Sequence, residues 1–121
     1  MEQLREKLLD ELKKAGVDVD GTVSRFMDNA EIYIKFLKRF PDEDRFTPVK
    51  EAAAEKDFDK LNQTAHKLKG VSANLGMTAL SEAAHKIELK AKESSLNGID
   101  GDMEAAEKLY NEVCRIIREN T

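Results

Sequence analysis

The sequence predicts an all-α protein, an antiparallel up-down four-helix bundle with an additional N-terminal helix. Apolar residues recur at intervals of three and four, the spacing of one helix face, rather than at the interval of two that is typical of strands. Alanine, leucine, glutamate and lysine are abundant, and the chain has only two prolines. Short loops separate the periodic segments, so we expect neighbouring helices to run antiparallel.

The first predicted helix covers residues 2–15, where four leucines share one side. Gly16 ends this helix, because glycine is common directly after a helix C-terminus. Residues 17–21 form a connector, and a short helical turn over residues 23–27 leads into the bundle.

Asp28 or Asn29 is expected to cap the next helix. Pro41 interrupts it, since proline clashes with the preceding turn and lacks an N–H donor. Thr47 and Pro48 suit the cap and the first position of a further short helix. One long helix kinked near Pro41 is the alternative, and the sequence leaves this choice open.

Three longer helices follow. Asp57 is expected to cap a helix over residues 58–75, Thr78 to cap the next, and Asp102 to cap the last, after a loop over residues 94–101. The predicted inward positions of these helices are Phe58, Leu61, Ala65, Leu68, Ser72, Leu75, Leu80, Ala83, Ala84, Ile87, Ala91, Ala106, Leu109, Tyr110, Val113, Ile116 and Ile117.

Size and composition limit the function classes. The 121 residues fit one domain, with residues 1–28 as the N-terminal helix and connector and residues 29–121 as the bundle. No apolar run approaches the roughly 20 residues of a membrane span, and the charged N-terminus does not resemble a signal peptide. A net charge of −4 without a basic stripe argues against nucleic-acid binding. The single cysteine, Cys114, fits a reducing cytoplasm, so we expect a cytoplasmic protein.

One strip of the helix over residues 58–75 combines an imidazole, a cation and a glycine. His66 lies roughly 130° from the centre of the apolar face, so it should face solvent, with Lys69 and Gly70 next to it on the helix surface. A neutral imidazole is nucleophilic near pH 7, and a lysine can bind an anion. A mid-helix glycine costs about 1 kcal/mol relative to alanine, and close approach of a partner or of phosphoryl oxygens would explain it. The strip suits a phosphorylated histidine, but an ordinary solvated histidine is the competing interpretation.

Other candidate sites are weaker. A metal or proton-relay pair of His66 and His85 is conceivable, but zinc needs further ligands, so we expect a solvated His85. The acidic residues at positions 100, 102 and 104 lack the glycine of a calcium loop and are better explained by a helix cap. We therefore expect no metal site and no cofactor. Val71 with Phe26 or Met27 forms either a docking patch or part of the core.

The run His66-x-Leu68-Lys69-Gly70, continuing through Ser72-Ala73-Asn74-Leu75-Gly76, resembles the signature of histidine-containing phosphotransfer domains. The resemblance extends over nearly the whole chain. It includes Gly16-Val17-Asp18-Val19-Asp20, Arg25-Phe26, Asn29-x-Glu31-x-Tyr33 and Asp57-Phe58.

The resemblance implies that His66 accepts a phosphoryl group at Nε2 from the phosphoaspartate of a response-regulator receiver domain and passes it to another receiver. Lys69 would steady the phosphoryl group, and Gly70 would leave room beside it. The chain would be a relay intermediate without kinase activity, and magnesium would belong to the receiver. Receiver domains are the expected partners, with a hybrid sensor histidine kinase as a further candidate, and we expect a monomer.

Two positions depart from the family pattern. The family often has a polar residue such as glutamine where this chain has Glu88, and a carboxylate there would repel a phosphoryl group unless Lys69 or Lys92 neutralises it or it points away. Pro41 interrupts a segment that is commonly one long helix. The alternative function is a non-phosphorylated helical adaptor that binds a receiver or kinase through the same face.

Overall fold

The computed structural model describes residues 2–121, which form seven α-helices and, within that range, no strand. The helices are α1 (Glu2–Lys14), α2 (Val19–Arg25), α3 (Ala30–Asp42), α4 (Thr47–Ala54), α5 (Phe58–Asn74), α6 (Thr78–Lys92) and α7 (Ile99–Glu119). The all-α class predicted from the apolar periodicity is confirmed. None of the helices in residues 2–121 is both long and apolar enough to cross a lipid bilayer.

The four sides of the bundle are the α3–α4 pair, α5, α6 and α7. Helix α5 packs on α6 and on α4, while α7 packs on α6 and on α3. Helices α1 and α2 form the N-terminal extension, and α1 packs against α7. The shared core contains the predicted inward positions of the three long helices except Phe58, Ala83 and Leu109, which are only partly buried. It also includes Leu8, Leu12, Tyr33, Leu37, Val49 and Met77.

The break between α3 and α4 settles the choice that the sequence left open. Helix α3 continues one residue past Pro41, and a separate helix begins at Thr47. The Asp44 carboxylate caps α4, because it accepts hydrogen bonds from the backbone N–H groups of Phe46 and Thr47 at 3.0 and 3.1 Å. The prediction that Thr47 caps this helix is wrong, since its hydroxyl instead donates to Asp44.

Three other boundaries also differ from the predictions. Helix α2 begins inside the predicted connector, with the Asp18 carboxylate accepting from the Gly21 N–H at 3.1 Å. Thr78 is the first residue of α6 rather than its cap. Asp102 is not a cap either, because α7 begins at Ile99 and the Asp102 carboxylate pairs with Lys90 of α6. Burial of the Ile99 side chain in the core favours this earlier start.

The C-terminal end of α5 is tied to the N-terminal part of the chain. The Tyr33 hydroxyl donates to the Leu75 carbonyl at 2.8 Å, and the Asp18 N–H donates to the Gly76 carbonyl at 2.8 Å. Gly76 has a φ of +79°, a conformation that other residues rarely adopt, and a Cβ there would collide with the Asp18 backbone. These bonds satisfy carbonyls that a helix end leaves without partners, and they fix where α5 turns into α6.

Candidate functional site

The structure places the three predicted site residues on one accessible strip of α5. The His66 side chain is 65% exposed, and the Lys69 side chain is 29% exposed. A Cβ built on Gly70 would meet nothing within 4 Å, so no packing within the fold requires glycine at this position. The space beside His66 is therefore open.

A fourth residue, Glu88 of α6, lies beneath this strip. Its side chain is only 3% exposed, and its two oxygens are shared among three nitrogen atoms. Oε2 lies 2.6 Å from Nδ1 of His66, and Oε1 lies 2.8 Å from Nζ of Lys69. Nδ1 of His85 is 3.2 Å from Oε1. A buried carboxylate surrounded by hydrogen-bond partners is the centre of the site.

These contacts determine the charge of Glu88. Burial alone would raise the pKa of Glu88, but the hydrogen bonds from Lys69, His66 and His85 outweigh it and lower that pKa to about 2. Glu88 is therefore ionised at neutral pH. An ionised carboxylate only accepts hydrogen bonds, so the hydrogen at each contact belongs to the nitrogen.

The charge of Glu88 selects the tautomer of His66. Nδ1 carries the proton that Glu88 accepts, and in the neutral ring Nε2 then carries the lone pair. Within residues 2–121 no side chain or backbone group forms a hydrogen bond with Nε2. In this tautomer of the neutral ring, the nitrogen without a partner is the one that can act as a nucleophile.

The hairpin of α5 and α6 brings these residues together. His66 precedes Met77 by eleven residues and Glu88 follows it by eleven, so the two lie at the same height in an antiparallel pair. The Ser81 hydroxyl donates to the Lys69 carbonyl at 3.0 Å and fixes the register of the two helices near the site.

The sequence left open how the negative charge of Glu88 is neutralised, and the structure shows that Lys69, not Lys92, forms the ion pair with it. Its burial was not predicted, although Glu88 follows Ile87 and lies four residues after Ala84, both inward positions of α6. His85 is not simply solvated as expected, because it also contacts Glu88 while its side chain is 47% exposed. Residues 2–121 contain no cluster of three His, Cys, Asp or Glu side chains arranged to hold a metal ion.

Comparisons with known proteins identify the family and support the fold. A family model described as the Hpt domain matches residues 22–116. A search of curated proteins gives no match. The crystal structure of histidine-containing phosphotransfer protein B (HptB) from Pseudomonas aeruginosa PAO1 is similar to this chain, with a TM-score of 0.70 and 21% sequence identity. The match covers 85% of this chain and 91% of that one, and it supports the fold predicted from the sequence.

Proposed function

The chain belongs to the Hpt domain family, and on that premise we propose that it relays a phosphoryl group between receiver-domain aspartates through a phosphohistidine at His66. Proteins of this family are phosphotransfer intermediates that work with receiver domains and kinases in phosphorelay signalling. The observation that carries the assignment of His66 is the 2.6 Å contact of its Nδ1 with the buried, ionised Glu88. This contact leaves the exposed Nε2 free to react.

The transfer step follows from this tautomer. The lone pair of Nε2 attacks the phosphorus of the receiver's aspartyl phosphate, so an N–P bond forms while the bond from phosphorus to the aspartate oxygen breaks. The aspartate carboxylate leaves with the electron pair of that bond. His66 loses no proton, because Nε2 carries none and the Nδ1 proton stays on the hydrogen bond to Glu88. Attack by the aspartate of a second receiver reverses the step.

Glu88 is a positioning residue in this scheme. Phosphorylation at Nε2 leaves a positive charge on the protonated ring, and the carboxylate beneath it stabilises that charge. Three hydrogen-bond partners hold the Glu88 carboxylate below the surface. Its negative charge therefore acts on the imidazole ring more than on the incoming phosphoryl group.

Lys69 and Gly70 have complementary roles on the surface. The Lys69 ammonium group has three N–H donors, and Glu88 accepts from one of them, which leaves donors for the phosphoryl oxygens. Gly70 adds no side chain to the open space beside His66, so the receiver's active site can approach closely.

The proposal is tested by transfer from radiolabelled receiver domains of the genome that encodes this chain. We expect at least one phosphorylated receiver to label the wild-type protein, with a label that is acid-labile and alkali-stable. His66→Gln should abolish labelling, while His85→Gln, which removes the other histidine, should retain it. A label that survives His66→Gln contradicts the site. Receiver binding without any transfer favours the non-phosphorylated adaptor.

A further inference from the structure

Two side-chain amides, Asn62 and Gln63, lie on the turn of α5 that precedes His66. Gln63 is exposed and Asn62 is half-buried. The side-chain hydrogen bonds at this end of α5 are formed by Asp57 and Thr64, and neither amide has a hydrogen-bond partner within residues 2–121. Each amide therefore has two N–H donors available for a further group.

The position of His66 on a helix directs its side chain over this turn. Long side chains on a helix point back towards its N-terminus, onto the residues three and four positions earlier. For His66 these residues are Gln63 and Asn62. Side chains at these spacings are close enough to interact, whereas the adjacent residue Lys67 does not face His66. A phosphoryl group on His66 is therefore closer to the amides than to the Lys67 ammonium group.

The two amides lie on opposite sides of His66. A helix turns by about 100° per residue, so Gln63 lies about 60° to one side of His66. Asn62 and Lys69 lie about 40° and 60° to the other side. Lys69 contacts Glu88 of α6, so that side faces α6. Gln63 therefore lies on the side of His66 that faces away from α6.

The contact with Glu88 directs the phosphoryl group towards the side of Gln63. The two nitrogens of an imidazole ring point in nearly opposite directions. Nδ1 of His66 points at the buried Glu88 carboxylate on α6, so Nε2 points outwards and away from α6. Gly70 lies about 40° from His66 on the same side as Gln63, and a Cβ there would meet nothing within 4 Å. Phosphoryl oxygens in this open space have the Gln63 amide within reach.

We propose that the side-chain amide of Gln63 donates a hydrogen bond to a phosphoryl oxygen when Nε2 of His66 is phosphorylated. The inference rests on the proposed function, because the relay passes through that phosphohistidine. Lys69 binds the phosphoryl group from the side of α6, and Gln63 binds it from the opposite side. Gln63 thus stabilises the phosphorylated state, and its loss should shift the phosphoryl group back towards the receiver.

A titration of the phosphoryl group itself tests this contact. Phosphoramidate phosphorylates an exposed histidine without a receiver, since Nε2 attacks its phosphorus and ammonia leaves. The phosphorus NMR signal that is missing from His66→Gln belongs to His66, and its shift with pH gives the pKa of the phosphoryl group. A hydrogen-bond donor to the charged form lowers this pKa, which is about 6 for phosphorylated side chains.

Gln63→Met removes the amide from a side chain of similar length, and Asn62→Leu is the matched control on the side that faces α6. We expect the pKa of the phosphoryl group to rise by about 0.5 in Gln63→Met and by less than half as much in Asn62→Leu. Gln63→Lys, which restores a donor, should return this pKa to the wild-type value or below. At equilibrium with a phosphorylated receiver, Gln63→Met should hold about threefold less label than the wild-type protein.

Neither of the two neutral substitutions changes the charges near the phosphoryl group. The charged groups of α5 in this region are Asp59, Lys67 and Lys69, and the titratable groups of α6 are His85, Glu88 and Lys92. A difference in pKa between Gln63→Met and the wild-type protein therefore measures the loss of the amide donor and not a change of charge.

Each outcome decides at least one of the two proposals. A pKa that is unchanged in Gln63→Met, or that rises as much in Asn62→Leu, overturns the assignment of Gln63. A pKa that rises in Gln63→Met alone, in a protein that no receiver labels, supports the contact and overturns the proposed function. Labelling of His66 by receivers, with no effect of Gln63→Met on pKa or label, supports the proposed function and overturns the inference. If neither phosphoramidate nor any receiver labels His66, both are overturned.

Discussion

The two histidines contact the same carboxylate but differ in what surrounds them. Nδ1 of His66 lies 2.6 Å from Glu88, and Nδ1 of His85 lies 3.2 Å from it. Four residues after His66 the helix has Gly70, with open space above it, whereas four residues after His85 it has Leu89, which is 43% exposed. The carboxylate orients both rings, but only one ring has an unobstructed approach.

The charged residues near the two rings also differ, and this difference again favours a phosphoryl group at His66 over one at His85. Three residues after His66 the chain places Lys69, and three residues after His85 it places Glu88 itself. A phosphoryl group carries nearly two negative charges, so a cation on the same helix face favours it and a carboxylate at that position does not. We therefore expect phosphoryl acceptance to need open space and a nearby cation in addition to a tautomer fixed by a carboxylate.

Removing the shared carboxylate should have the largest effect. Glu88→Ala is expected to slow transfer to His66 about 10- to 100-fold, by analogy with losing the hydrogen-bond partner of a metal-bound histidine. Glu88→Gln should lose less, because its amide oxygen still accepts from Nδ1. Nitrogen NMR of the rings should show loss of the Nδ1-protonated tautomer in Glu88→Ala. Slower transfer with that tautomer unchanged would assign Glu88 a purely structural role.

The low pKa of Glu88 predicts how stability depends on acid. Its pKa falls from the ordinary 4.5 to about 2 on folding, so its ionised form stabilises the fold above pH 4.5, and this contribution is lost as the pH falls towards 2. In Glu88→Gln, the free energy of unfolding should therefore fall less than in the wild-type protein as the pH is lowered from 4.5 towards 2. Urea denaturation at each pH measures this difference. Glu104→Gln, at an exposed position of α7, is the control and should follow the wild-type curve. Parallel curves for all three proteins would contradict the pKa assignment.

Lys69→Ala tests the cation that distinguishes His66 from His85. We expect transfer to slow or the phosphohistidine lifetime to shorten by about tenfold, the effect of losing a charged hydrogen bond. Lys67→Ala removes an exposed charge next to His66 in sequence and is the control. An unchanged rate together with an unchanged lifetime would remove Lys69 from the mechanism.

Gly70→Ala tests the open space. The added methyl group meets nothing within 4 Å, so the unfolding free energy should rise by about 1 kcal/mol, since alanine is the better helix former. Transfer from a receiver should nevertheless become slower. Gly101→Ala in α7 has equally open surroundings and should stabilise the fold without slowing transfer. Equal transfer rates in both variants would show that the space beside His66 is not used.

The smallest effect is expected for His85. His85→Gln removes the longest of the three contacts to Glu88 and should change transfer about twofold, the effect of losing one weak hydrogen bond. A loss as large as that of Glu88→Ala would mean that His85, rather than Lys69, keeps the carboxylate in place. Transfer rates of the two variants measured with the same receiver decide this.

The helices and the strip of His66, Lys69 and Gly70 could be predicted because both depend on spacing within one helix. The repeat of apolar residues predicted α5 and α6, and the rotation per residue placed His66, Lys69 and Gly70 together. The sequence analysis missed the helix starts that depend on residues outside the helix itself. Asp44 caps α4 from three residues before Thr47, and the pairing of Asp102 with Lys90 of α6 could not be deduced from either helix alone.

The burial of Glu88 was missed for the same reason. A glutamate on an amphipathic helix is usually solvated, and only the pairing of α5 with α6 brings His66 and Lys69 to its oxygens, whereas His85 reaches Glu88 within α6. Its position between inward residues of α6 was a usable signal. The pKa of Glu88, and with it the tautomer of His66, depends on these contacts between helices and is not a property of either sequence segment.

The hydrogen bonds at the C-terminal end of α5 affect how the protein should be shortened. The family match begins at residue 22, but the Asp18 N–H donates to the Gly76 carbonyl at 2.8 Å from outside that range. A fragment begun at residue 22 would leave this carbonyl without its donor at the turn that sets the register of Glu88 beneath His66. The smallest unit that keeps this turn intact therefore starts before the segment that defines the family, at or ahead of Val17.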